Sequence, residues 1–355
     1  MPKLGTSIRI ASAVAAAALL AVVVAGTASA KPGRQATTLN GAGSSLIAPA
    51  VAVWAPAYNK ASGVTINYSS VGSGAGIAAI TAKTVDFGAS DAPLNPSQAA
   101  ACSDCVQIPW ALSATVPTYN IPGVHSGQLK LTGPVLANIY LGKITKWNDP
   151  AITALNKGLS LPDLTITVAH RSDGSGDTYA FTDYLAHVSA QWLSQVGPAS
   201  TSVSWPTGVG GAKNPGVAAI IASTPGAIGY ISVAYVIQNH LDWARMKNAA
   251  GNYVLASAPD IEAAAQTVKT VPADNKMSIV DPPAGAAYKN AWPLSTFTYV
   301  ILHTTTPQAS DLRKFVFWAL TPKAQHLINN SYLVFAPIPK VVLVAAEKTL
   351  DKVHS

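Results

Sequence analysis

The sequence predicts an α/β protein built from two domains, and three observations point that way. A strand-like run, a glycine turn and a helix-like run follow one another at 36–61, again at 64–83 and again at 164–185. Strands that alternate with helices argue for a sheet with helices on its faces. The chain has 355 residues, more than a single core usually holds. It is 49% hydrophobic and 11% charged, which supplies ample apolar surface and excludes a disordered chain.

Taken in order, residues 1–30 read as a signal peptide. Lys3 and Arg9 form a positive region, 10–26 an apolar one, and Ala28-Ser29-Ala30 a small-residue cleavage site. An uncleaved anchor is the rival reading, because the apolar run approaches spanning length. The small-residue end and the polar stretch 31–38 favour cleavage. No cysteine lies near that site, so a lipid-modified N-terminus is not expected. No later run is long and apolar enough to span a membrane.

Residues 36–45 read as a short strand that ends in a Gly-Ala-Gly turn. An amphipathic helix follows at 46–61, with Leu46, Ile47, Val51, Trp54 and Tyr58 on one face. Residues 64–68 alternate as a strand, 71–76 form a second glycine turn, and 77–83 a short helix. A third strand at 85–89 ends at Ser90-Asp91-Ala92-Pro93. The apolar runs 106–119 and 292–302 read as two crossings between domains. Between them lie helices at 134–141, 189–196, 216–223 and 234–239, a polar turn at 142–150, strands at 164–168 and 226–233, and a glycine-rich loop at 204–214. Residues 248–283 are read as helices and loops. Further helices are expected at 310–320, capped by Ser310, and at 323–330 and 341–352.

The net charge is +7, and removal of Lys3 and Arg9 would lower it to +5. The charges are scattered, with no arginine-lysine run interleaved with aromatics, so nucleic acid is not an expected partner. The two cysteines, Cys102 and Cys105, are spaced C-x-x-C. Export favours a small disulfide over redox chemistry, free thiols or half a metal site. The seven histidines show no ligand spacing, which argues against metal-dependent hydrolysis.

The chemistry concentrates in His170-Arg171-Ser172-Asp173-Gly174-Ser175-Gly176-Asp177-Thr178, set between a strand and a helix. Arg171 supplies a planar, permanently charged fork suited to an oxyanion. The glycines bring bare N–H groups close to a ligand, and the following helix presents unpaired N–H groups with partial positive charge. Each of the three glycine turns carries a serine: Ser45, Ser73 and Ser175. Asp91, directly after a strand, could face the same space. An ionised carboxylate accepts hydrogen bonds and donates none. It would therefore tolerate a protonated oxyanion and oppose a fully ionised one. Turn or cap roles for Asp91 and Asp173 remain open on this reading.

Five motifs carry a resemblance: Gly41-Ala42-Gly43-Ser44-Ser45, the run 85–93 (VDFGASDAP), 139–144 (IYLGKI), Arg171-Ser172-Asp173-Gly174-Ser175-Gly176 and 225–230 (PGAIGY). Together, over 38–339, they resemble the substrate-binding protein of the high-affinity phosphate ABC transporter. The resemblance implies a two-domain periplasmic-binding-protein type II fold. Each domain is a mixed sheet flanked by helices, and two crossing hinge segments join them. Domain I would comprise 36–113 with 297–355, and domain II 114–296.

The implied ligand is inorganic phosphate, the implied partners are the permease subunits, and the implied location is periplasmic or secreted. A monomer without cofactor or catalytic activity is expected; a secreted scavenger and an exported phosphatase-like protein are the alternatives. Carried over, Ser45 and Ser73 would each donate hydroxyl and N–H, Leu46 its N–H, and Asp91 would accept the phosphate proton. Arg171 would pair with phosphate oxygens while Asp173 holds its guanidinium. Ser175 would donate its hydroxyl and Gly176 its N–H. Asp177 departs from the threonine of some members. It would either cap its helix or face the anion as a second acceptor beside Asp91, favouring the monoanion.

Overall fold

The computed structural model describes residues 37–355; the signal peptide read at 1–30 lies outside them. Among the described residues no helix is long and apolar enough to cross a membrane. The described residues form twelve strands: β1 Thr38–Gly43, β2 Thr65–Ser70, β3 Phe87–Ser90, β4 Cys105–Tyr119, β5 Lys130–Leu131, β6 Thr167–Arg171, β7 Val209–Gly211, β8 Ala227–Ser232, β9 Asp242–Trp243, β10 Arg245–Lys247, β11 Tyr253–Val254 and β12 Ser295–His303. The main sheet has the order β2-β1-β3-β12-β4-β8-β6-β7, with β9 on β4; β11, β10 and β5 form a small second sheet. It is mixed. β1 runs parallel to β2 and β3, and β6 to β7 and β8, whereas β12 and β4 are antiparallel to their neighbours.

The two apolar runs expected to cross are the axis of this sheet. β4 pairs with β12 from Cys105 to Ala114, and from Thr115 onward it pairs with β8. Ala114 lies opposite Ser295, and the Thr115 N–H donates to Leu294 O at 3.1 Å. Both crossings therefore pass the same point side by side. β4 is buried along nearly its whole length because each half is flanked by strands and covered by helices. On one side of the crossing Trp54, Phe87, Trp110 and Phe315 interlock, with Trp54 and Trp110 at 5.4 Å. On the other, Phe181 stacks on Tyr230 at 4.3 Å, with Tyr140 and Trp205 beside them.

Local chemistry moved several helix starts. The helix expected at 77–83 begins at Ser73, as Ser73–Thr81, and the one expected at 179–185 begins at Gly176, as Gly176–Val188. Both glycine turns are thus shorter than they read. Ser310 does not cap its helix: Ala309–Leu320 starts one residue earlier, after Gln308, without a side-chain cap. The glycines are required by close approach. A Cβ on Gly76 would overlap the Gly43 Cα and come within 2.7 Å of Ala42 O and 3.0 Å of Ala89 O.

Gly76→Ala should lower the urea midpoint by an amount equivalent to about 1–3 kcal/mol, the usual range for overpacking. That outweighs the gain of roughly 1 kcal/mol in helix propensity. An unchanged or raised midpoint would show that the backbone yields there.

Candidate functional site

The carboxyl ends of β1, β2 and β3 point one way because the three strands are parallel, and β6 ends against them. Ligands of open α/β sheets bind in that crevice. Ser44 and Ser45 follow β1, Ser73 opens the helix after β2, Asp91 follows β3, and Arg171 closes β6. All five are buried.

Asp91 is the meeting point. Its Oδ2 accepts from Ser44 Oγ at 2.5 Å and from Ser73 Oγ at 3.4 Å. Its N–H donates to Ser73 Oγ at 3.3 Å. Oδ1 is buried and has no partner in good hydrogen-bond geometry, while the Thr298 hydroxyl beside the carboxyl favours its charged form. A buried polar atom without a partner is costly, and its presence in a native site calls for a reason. Burial, and next the charge of Asp177, push this carboxyl up to about 7, against the Ser44 hydrogen bond and the Arg171 charge.

Arg171 is the site's cation. Nε donates to Asp173 Oδ1 at 2.8 Å, Nη2 to Asp173 Oδ2 at 2.6 Å, and Nη1 to Asp177 Oδ2 at 3.0 Å. Burial works against its charge, but the Asp173 hydrogen bonds and both carboxylate charges raise its pKa above the ordinary value. Asp173 also accepts the N–H of Lys213, the first residue of the helix Lys213–Ser223, at 2.8 Å. It thus acts as a clamp for Arg171 and as a cap for a distant helix.

Asp177 does not cap its own helix. Ser175 does that, accepting the Thr178 N–H at 3.3 Å. The Asp177 carboxylate instead receives Thr115 Oγ1 at 2.8 Å, Asn214 Nδ2 at 2.7 Å and Arg171. Burial raises its pKa, while Arg171, Thr115 and Asn214 oppose the shift.

The remaining residues join the two halves of the sheet. Ser45 Oγ accepts from Asn214 N at 3.2 Å and Nδ2 at 2.9 Å. The Gly176 N–H donates to Ser73 Oγ at 3.1 Å, and a Cβ at Gly176 would overlap Asp91. The Gly74 N–H reaches Gly174 O at 2.9 Å. The Leu46 N–H is held by Ser44 Oγ at 3.0 Å.

Ser45, Leu46, Ser73, Asp91, Arg171, Asp173, Gly176 and Asp177 thus gather around one crevice, while Ser175 is placed as the cap of its helix. Sequence reasoning missed Ser44, Thr115 and Asn214. Ser44 adjoins Ser45 in the first turn, and Asn214, read as the end of a glycine-rich loop, is the second residue of the helix Lys213–Ser223. Thr115 carries no local signal; only the crossing of β4 brings it beneath Asp177.

Strand order and the convergence of turns on one crevice fit a solute-binding protein, and the PBP superfamily domain matches residues 28–323. Phosphate-binding protein PstS of Pasteurella multocida is 43% identical over 313 residues, covering 87% of this chain and 88% of its own. PstS of Xylella fastidiosa is 43% identical over 304 residues, 85% and 81% of the two chains. The chain belongs to the PstS family of phosphate-binding proteins. Two solved structures share the fold. One is a high affinity periplasmic phosphate-binding protein (PfluDING) bound with phosphate, with TM-score 0.70, 21% identity and coverage of 88% and 93%. The other is a putative phosphate ABC transporter substrate-binding protein from Clostridium perfringens with bound phosphate, with TM-score 0.61, 18% identity and coverage of 85% and 100%.

The raised Asp91 carboxyl predicts a pH signature. A carboxyl whose folded pKa of about 7 exceeds its ordinary 3.8 binds extra protons in the folded state, so stability falls as pH rises between those values. Without added anion, Asp91→Asn should therefore melt higher than the wild type at pH 8, and the gap should close towards pH 4. A gap that is constant with pH would place the Asp91 pKa near its ordinary value.

Proposed function

We propose that this protein captures inorganic phosphate in the crevice around Asp91 and Arg171 and delivers it to the permease of an ABC transporter. It is a binding protein of the PstS family and not an enzyme. The observation that carries the reading is Asp91 Oδ1, a buried acceptor without a donor among groups that otherwise donate. A phosphate that keeps a proton supplies that donor, and a fully ionised sulfate does not. Ser45, Ser73 and Ser175 would offer hydroxyls, Leu46, Gly176 and Asp177 their N–H groups, and Arg171 its charge.

In this reading the lobes are 36–113 with 297–355 and 114–296, and they hinge where β4 and β12 cross. Opening there would break the contacts from Ser45 to Asn214 and from Ser73 to Gly176, and would admit the anion. The protein would act outside the cytoplasm as a monomer, after removal of residues 1–30.

Isothermal titration of phosphate-stripped protein tests the proposal. One phosphate should bind per chain with micromolar or better affinity, about −8 kcal/mol. No phosphate heat at millimolar ligand would contradict it.

The charge balance of the site gives a second test. Arg171 stands against Asp91, Asp173 and Asp177, one cation against three carboxylates, a net −2 when all are ionised. As pH rises, Asp91 loses its proton through about 7 and phosphate passes from monoanion to dianion. Both changes add like charge in a dry site. Affinity should fall from about pH 6 to about pH 8.5, and Asp177→Asn should flatten the slope. Equal slopes would show that Arg171, Thr115 and Asn214 already cancel the Asp177 charge.

A further inference from the structure

Away from the crevice, four metal-ligating side chains meet at the outer end of the two crossing strands. Cys102 and Cys105 are joined as a disulfide. Cys105 opens β4, and the β4–β12 register sets it directly opposite His303, the last residue of β12. Residues opposite one another in an antiparallel pair project on the same face. His303, remote in sequence from both cysteines, therefore stands over the bridge, with Nδ1 at 3.9 Å from Cys102 Sγ and 3.8 Å from Cys105 Sγ. Asp104, between the cysteines, places Oδ2 at 3.0 Å from the same Nδ1. One ligand atom from each of the four lies within 4.8 Å of every other.

The imidazole is already oriented. Its Nε2 lies 2.8 Å from Ile80 O, an acceptor only, so Nε2 carries the hydrogen. That contact fixes the ring and turns Nδ1 towards the sulfurs, as the outer hydrogen bond of a metal-bound histidine does. Nδ1 also faces an acceptor, the Asp104 carboxylate. A metal ion between Nδ1 and Oδ2 would take an electron pair from each. Lys83 Nζ, at 3.7 Å from Asp104 Oδ2, stands beside the cluster and can balance surplus negative charge.

We propose that reduction of the Cys102–Cys105 bridge converts this cluster into a zinc site with Cys102, Cys105, His303 Nδ1 and the Asp104 carboxylate as its four ligands. An external dithiol delivers two electrons and two protons: the S–S bond breaks, two thiols form, and the dithiol closes into its own disulfide. Zn²⁺ then displaces the two thiol protons to solvent and forms two Zn–S bonds, one Zn–N bond and one Zn–O bond. Standard bond lengths of about 2.3 Å to sulfur and about 2.0–2.2 Å to nitrogen and oxygen place tetrahedral ligand atoms roughly 3.3–3.8 Å apart. The separations from Nδ1, 3.0 Å to Oδ2 and 3.8–3.9 Å to the sulfurs, bracket that range. Broken, the bridge lets the sulfurs part to the same spacing. The mixed sulfur, nitrogen and oxygen set suits zinc over magnesium or calcium. Access exists on two sides: the Asp104 side chain is 40% exposed, and Cys105 lines a cavity of about 230 Å³ with Gln107, Asn275 and Lys352. The ion would pin the start of β4 to the end of β12, at the far end of the strands that cross between the lobes.

Cobalt(II) added anaerobically to the purified protein, before and after dithiothreitol reduction and removal of the reductant, tests this. The reduced protein should take up one Co²⁺ per chain with intense tetrahedral ligand-field bands and thiolate charge-transfer bands, which Zn²⁺ then bleaches; the oxidised protein should show neither. Cys102→Ser combined with Cys105→Ser should abolish the charge-transfer bands. Asp104→Asn, at a half-exposed position, should weaken uptake by about tenfold or more, since even outer partners of a metal ligand cost that much. Two titratable thiols in a folded protein that binds no Co²⁺ would overturn the proposal, as would equal binding by the oxidised and reduced forms.

Discussion

A guanidinium buried to 3% exposure must be neutralised where it lies, and the architecture of the site follows from that requirement. Arg171 meets it with two carboxylates from its own segment, Asp173 in a bidentate fork and Asp177 on the remaining nitrogen. Each carboxylate is then anchored elsewhere. Asp173 accepts the first N–H of the helix Lys213–Ser223, and Asp177 accepts from Thr115 on β4 and Asn214 on that helix. One buried charge thus fixes the relative placement of β6, β4 and two helices. Breaking such a network at one member leaves a charge uncompensated, which is why its members act together.

Asp91 is the counterpart across the crevice, and it is held differently. No cation bonds it; hydroxyls from Ser44 and Ser73 do, on one oxygen only. The backbone of Gly176 packs against it where any side chain would collide. The site therefore combines a positive centre held by two carboxylates with an acceptor that keeps one oxygen in reserve. A hydrogen-bond acceptor of this kind selects by protonation state rather than by size, because a ligand of the same shape without a proton leaves it unpaired.

The sequence made one layer of this legible. Glycine turns before helix-like runs, each with a serine, and an arginine in the third turn are local patterns, and they led to Ser45, Ser73, Arg171 and Ser175. The two long apolar runs led to the crossing strands, because a strand buried on both faces loses the polar alternation that marks an exposed one. Helix starts at Ser73 and Gly176 read too late, since glycine lowers helix propensity while close packing demands it there. Thr115, Asn214 and the pairing of His303 with Cys105 depend on sheet register and on contacts far apart in the chain. No window of residues contains that information. Asp177 shows the limit within the motif itself: its neighbours allow a cap or an inward carboxylate, and Ser175, by taking the cap, decides between them.

The same long strands tie the crevice to its support. β4 carries Cys105 at one end, passes Thr115 beneath Asp177, and ends beside β8. The crossing thus adjoins both the binding groups and the cores on either side. In the proposed function Asp91 reads a ligand proton. It is tested most directly by measuring phosphate and sulfate affinities for the wild type and for Asp91→Asn. The wild type should prefer phosphate strongly, and the variant should lose that preference, chiefly through tighter sulfate binding. An undiminished phosphate-to-sulfate ratio in a folded variant would contradict it.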